Sequence, residues 1–184
     1  MSLNPAFDTA APSRPNRAVR ELHRLSGGLT RGAGLLAPIA ARFALAVPFL
    51  RSGLTKWSGW FSVSPVADAL FESIFKLHLF GHQYGFPIPV VLAHLDAVAE
   101  VALPMLLIVG LATRFSALGL LIMTGVIQLT VPSGWANFHL PWAALSLTLL
   151  TLGGGPLSTD YLIERWLGKR GPCSWRKLGS QHPA

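Results

Sequence analysis

The chain of 184 residues is 51% hydrophobic and only 12% charged, with a mean hydropathy of +0.47. A soluble domain carries about a quarter charged residues, so a wholly water-exposed surface is excluded and lipid is part of the solvent. The formal charge of +7 gathers at the two ends and beside one short loop, a pattern of membrane topology that argues against a nucleic-acid partner, since anionic lipid headgroups account for it.

Residues 1–34 are polar and carry Arg14, Arg17, Arg20, Arg24 and Arg31. They read as a basic cytoplasmic segment with one short surface helix near Arg17 to Leu25. They do not read as a cleavable signal peptide, because the apolar run begins too late and no small-residue cleavage site follows it. Four apolar segments come next, at 35–56, 88–111, 115–131 and 136–152. At about 1.5 Å per residue each is long enough for a hydrocarbon core of roughly 30 Å, the last two only just. The expected fold is all-α, a four-transmembrane-helix bundle over residues 35–157, with a basic cytoplasmic tail over 158–184.

The loops orient this bundle. Arg114 marks the link between the second and third segments, and the tail holds Arg165, Lys169, Arg170, Arg176 and Lys177, whereas the 132–138 link has no charge. Lys and Arg bias therefore places both termini and the 112–114 link in the cytoplasm. Six Trp and ten Phe fit the same picture, as aromatic rings favour the two interfaces.

The 57–87 connection is too long for a turn. In ADALFESIFKLHLF, Leu70, Phe71, Ile74, Phe75 and His78 fall at helical spacing opposite a stripe of Asp68, Glu72 and Lys76. The spacing predicts an extracytoplasmic amphipathic helix that lies on the outer membrane surface or dips against the bundle. The run Gly153-Gly154-Gly155-Pro156 reads as a helix stop, and 156–167 as a short helix with Ser158 as its cap. Cys173 stands alone, so there is no intramolecular disulfide, CxxC pair or thiolate metal site.

Ionisable residues inside the apolar segments are where function would leave a mark. Asp96 and Glu100 are four apart and face one side of the second segment. By depth, Arg51 is the expected partner, with Gln128 adding a hydrogen bond and Trp135, Asn137 and His139 closing the outer end. Arg42 is nine residues earlier, about 180° round the helix from Arg51, and would snorkel inward. Such a cluster is either an ion pair that fixes helix packing or the polar end of a substrate or quinone pocket. Neither carboxylate carries a signature of acid–base catalysis, so no catalytic residue is assigned. His78, His82, Asn137 and His139 are outer-face candidates. His78 and His82 are four apart, but no metal site is expected from them, and no haem either, because only His94 comes near a haem-ligating position.

The motif residues also carry a family resemblance. ARFALAVPFLRSGLTKW, with Arg42, Phe49, Ser52, Gly53 and Lys56, resembles the first helix of the DoxX family of small bacterial membrane proteins. Glu100 stands at that family's acidic position, and Gly110-Leu111-Ala112-Thr113-Arg114 resembles its G-L-x-T-R turn; the likeness covers about residues 38–160. The resemblance implies a four-helix fold in the bacterial inner (plasma) membrane, multi-pass, distantly similar to the small subunit of thiosulfate:quinone oxidoreductase. The expected function is a membrane partner or anchor of a redox or thiol-handling complex. Alternatives are a quinone-linked oxidoreductase subunit and a component of a small organic anion transporter, so enzymatic activity stays open. Expected partners are membrane lipids, a redox protein and a second copy of the chain.

Overall fold

The computed structural model describes residues 17–59 and 62–168. The chain divides into two compact units, Met1–Gly34 and Leu35–Ala184. In the first, the expected short helix near residue 17 is the start of a much longer one, helix α1 (Arg17–Thr55). None of the glycines in that stretch takes a positive φ, so nothing there stops the helix. Its exposed turns carry an Arg24–Glu21 ion pair at 3.2 Å. Cys173 and the basic residues from Lys169 onward lie outside the described residues.

The second unit is built on the later part of α1 and on α3 (Pro89–Val109), α4 (Thr113–Thr130), α5 (Leu140–Leu152) and α6 (Thr159–Trp166). Among the described residues three helices are long and apolar enough to cross a membrane: Arg24–Thr55 within α1, α3 and α4. The fourth apolar segment is helical in two pieces, a π-helical turn Trp135–His139 and then α5, whose 13 residues alone fall short of the roughly 20 that a span needs. The architecture is thus an all-α, multi-span membrane bundle, with two small hairpins added in the connection between α1 and α3.

That connection differs from its sequence pattern. Hairpin β1 (Trp57–Gly59) and β2 (Ser62–Val63) comes first, then α2 (Pro65–Ala69), which continues as a π-helical turn Leu70–Ile74. Helix stops where Phe75 takes an extended backbone (ψ 119°). Residues 77–79 instead form β3 (Leu77–Leu79), paired with β4 (His82–Tyr84). The cause is the two-residue loop Phe80-Gly81, with φ of 50° and 83°. Two consecutive positive φ values give the turn whose twist matches a hairpin.

Neighbouring helices run antiparallel. Along α1 and α3, Arg42 lies by Gly110, Gly53 by Glu100 and Lys56 by Asp96; along α4 and α5, Arg114 reaches Thr151 and Gln128 reaches His139. The bundle therefore has a turn end, where α3 meets α4, and a hairpin end. Leu45, Ala46, Phe49, Leu107, Ala117, Leu120 and Leu149 make the core between them. At the turn end α3 stops in a Schellman arrangement: Gly110 (φ 76°) donates to the Leu107 carbonyl and Leu111 to that of Leu106. Pro38 and Pro48 sit inside α1, as membrane helices allow when neighbours cover the freed backbone.

Candidate functional site

At the hairpin end α1 and α3 touch through backbone. A Cβ on Gly53 would stand 2.8 Å from Glu100 Cβ and 2.9 Å from the Glu100 carbonyl carbon and oxygen, so only glycine permits this approach. The contact fixes the rotation of α1. Lys56, three residues on, falls on the same face and is aimed at α3. Its ammonium pairs with Asp96 and lies 2.8 Å from Glu100 Oε2. The Glu100 side chain is only 4% exposed, against 15% for Lys56 and 21% for Asp96. Beyond the ion pair, Glu100 Oε2 has no directed hydrogen bond.

This corrects the expected partner. Arg51 is exposed, and Lys56 holds the carboxylates in its place. The reason is helical phase: Arg51 precedes Gly53 by two residues, about 200° round the helix, and so points away from α3. Asp96 and Glu100 do come together. Gln128 does not join them; its Oε1 lies 2.6 Å from His139 Nδ1, a separate pair between α4 and the π-helical turn before α5. His139 is buried and Asn137 exposed.

His78 and His82 sit on the two strands of the β3–β4 hairpin and share no helix face. His78 Nδ1 lies 3.2 Å from the Leu129 carbonyl oxygen and its Nε2 3.2 Å from Gln83 Nε2. Among the described residues no three His, Cys, Asp or Glu side chains gather as a metal site.

Lys56, Asp96 and Glu100 form one end of a cavity of about 730 Å³ between α1, α3, α4 and the α2 segment. Ser52, Thr55 and Ser64 also line it, and the remaining walls are mostly aliphatic and aromatic. Phe49 packs on Trp142 at 5.0 Å between ring centroids and makes one side. Phe71 makes the roof, packed on Phe75 at 5.3 Å and Phe86 at 5.4 Å, with the Lys56 ammonium 5.9 Å from its ring centre. Apolar walls with a few convergent polar groups are the usual make-up of a small-molecule site.

The other motif residues meet at the turn end. Arg42 is buried, donates from Nη2 to the Leu157 carbonyl at 3.4 Å, and lies where a Cβ on Gly110 would be. Arg114 donates to the Thr151 carbonyl at 3.3 Å, and Thr113 is fully buried. The residue that joins them is Asp160, which sequence reading passed over. Its carboxylate accepts from the backbone N–H groups of Ala112 and Thr113, both at 2.7 Å, and caps α4 from α6. Thr159 donates to the Val109 carbonyl at 2.8 Å, and Ser158 caps α6 as its sequence position suggests. The only signal for Asp160 was the Ser-Thr-Asp run that follows the glycine-rich stop after Leu157.

The same stretches carry a family match: residues 37–133, which include Arg42, Gly53, Lys56, Glu100 and the Gly110–Arg114 turn, fit the DoxX family model. The chain belongs to the DoxX family. A relative in Haemophilus influenzae, described as an uncharacterized protein, is 34% identical over 152 residues, covering 75% of this chain and 88% of that one. No solved structure matches. As a DoxX-family member with three helices long enough to cross a bilayer, this is a multi-pass protein of the inner (plasma) membrane. A membrane-associated accessory role is consistent with that membership.

Proposed function

We propose that this DoxX-family protein is the membrane subunit of a redox complex and binds a quinone-type ligand in the cavity at its hairpin end. The observation that carries the reading is the pairing of aromatic and aliphatic walls with one buried polar corner, Lys56, Asp96 and Glu100. A quinone supplies reversible two-electron, two-proton chemistry when bound. The residues present fit it: the Lys56 ammonium is placed to donate to a ring carbonyl, and Glu100 Oε2, whose partner is that ammonium at 2.8 Å, to accept from a ring hydroxyl. Phe49 and Phe71 offer faces for the ring. Two carboxylates against one ammonium work against an organic anion as cargo.

The test is extraction of the protein purified with native lipid, with quinone measured per chain. Wild type should retain quinone and Lys56→Met should lose it. A wild-type protein free of quinone that also takes none up from quinone-loaded vesicles overturns the reading.

The partner-anchoring role rests on α6. Asp160 and Thr159 stitch it to the α3–α4 turn, while Trp166 stays 85% exposed beside exposed Leu162 and Leu167, a surface that a redox or thiol-handling enzyme could cover. In this reading the 18 helical residues of Trp135–His139 and α5 make a fourth span, α2 lies on the outer surface, and both termini are cytoplasmic. Reporter fusions at 113 and after 170 should read cytoplasmic, and those at 80 and 135 extracytoplasmic. A cytoplasmic signal at 135 overturns the arrangement.

A further inference from the structure

We infer that the cavity opens sideways into the lipid, through a gap between the hairpin-end halves of α3 and α4, and that its ligand is a membrane-resident lipophile whose hydrocarbon tail leaves through that gap. This rests on the ligand reading above and adds the tail and its path.

The gap shows in residues that do two things at once. Leu95 on α3 and Ile122 and Val126 on α4 line the cavity, yet they are 60%, 59% and 41% exposed. A side chain that faces a cavity and also the outside stands at its rim. Both helices are long and apolar enough to cross a membrane, and in this inference the outside at these positions is acyl chain. Toward the turn end the two helices close up: a Cβ on Gly119 would stand 2.7 Å from Leu103 Cδ1. The opening is therefore confined to the half of the bundle that holds the cavity.

On the water side Val66 of α2 also lines the cavity at 67% exposed, but the rest of the roof is packed. Phe71 and Ala67 are buried in the roof, and the roof is tied down on both sides of the gap. His94 on α3 lies 3.6 Å from Asp68 of α2, and His78 of β3 lies 3.2 Å from the Leu129 carbonyl of α4. A ligand that came from water would enter beside Val66 and these contacts, whereas one that diffuses in the bilayer meets Leu95, Ala99, Ile122 and Val126, which have no side-chain hydrogen-bonding group. That wall suits an isoprenoid or acyl chain, and the polar corner at Lys56 takes the head.

The test compares a long-chain ubiquinone with the same benzoquinone head lacking its tail, each added to vesicles that hold the full-length protein. Binding is read as the part of the tryptophan quenching that Trp142→Phe removes, since Trp142 lines the cavity. The double variant Leu95→Phe/Ile122→Phe narrows the gap without touching Lys56, Asp96 or Glu100. It should weaken the tailed quinone about tenfold or more and leave the bare head within about twofold of wild type. Ile122→Ala, which widens the gap, should leave both ligands bound. If the narrowed variant binds both ligands as wild type does, the tail path is overturned while the head site stands. Equal loss of both ligands also overturns it, because the gap would then serve the head. If wild type binds neither, the ligand reading itself fails.

Discussion

Replacing Gly53 by alanine tests whether the α1–α3 approach sets up the site. The new Cβ would lie 2.8 Å from Glu100 Cβ and 2.9 Å from Glu100 backbone atoms, so no flexible side-chain end can yield. Carbon atoms pack at about 3.5 to 4.0 Å, so the helices must part by about 1 Å. Overpacking of this kind costs about 1 to 3 kcal/mol. Alanine also gains about 1 kcal/mol over glycine in a helix, which would mask part of the loss. Gly125 on α4 supplies the control: a Cβ there meets nothing within 4 Å, so Gly125→Ala receives the helix gain alone. The difference between the two variants isolates the contact and should be about 1 to 3 kcal/mol. It is read as relative thermal stability in nanodiscs. Quinone retention should fall with Gly53→Ala and stay unchanged with Gly125→Ala, because parting the helices moves Lys56 from Glu100. Equal stability of the two variants would refute the close approach and the helical phase argued from it.

Three further outcomes follow from the ion pairs and the cap. Lys56→Met strands two carboxylates and should cost about 2 to 4 kcal/mol, with Glu100→Gln restoring part of it; a coupling of about 1 to 3 kcal/mol in the double-mutant cycle is expected, and near-zero coupling would dissolve the triad. Arg51→Gln should stay within about 0.5 kcal/mol of wild type in the same assay, and a loss as large as that of Lys56→Met would return the pairing to Arg51. Asp160→Ala removes two hydrogen bonds to the first amides of α4 and should cost about 1 to 2 kcal/mol; hydrogen exchange at Ala112 and Thr113 should quicken, and unchanged exchange would refute the cap.

What the sequence disclosed was what chain-local pattern can carry. Three apolar runs became helices of spanning length, Gly110 ended α3 where its motif predicts, and Ser158 capped α6. Counting along the helix pointed to Arg51 as the level partner of the carboxylates, and Lys56 holds them instead. Rotation was not legible. Arg51 and Lys56 are five residues apart, and only the contact between Gly53 and the Glu100 backbone decides which of them meets α3. The same limit hid Asp160, which acts on amides 48 and 47 residues away, where no local pattern points. The hairpin at 77–84 was masked for another reason: apolar spacing across Leu70 to His78 fits a helix until the paired positive φ values of Phe80 and Gly81 select strands.

The size of the cavity bears on what occupies it. A cavity of about 730 Å³ with a rim at Leu95, Ile122 and Val126 is not a sealed void, so its contents exchange with what lies outside. Water cannot fill the space cheaply, since most of its walls offer no hydrogen-bonding group and an ordered water needs two or more polar partners. A hydrocarbon chain can, and the rim at Leu95, Ile122 and Val126 stands where one would come from. The charged corner then has a different part. Lys56 bridges both carboxylates there, and the charges keep a hydrocarbon chain from that end. A ligand with a polar head and a hydrocarbon tail suits both ends of such a cavity, which is what the tail path proposed above requires.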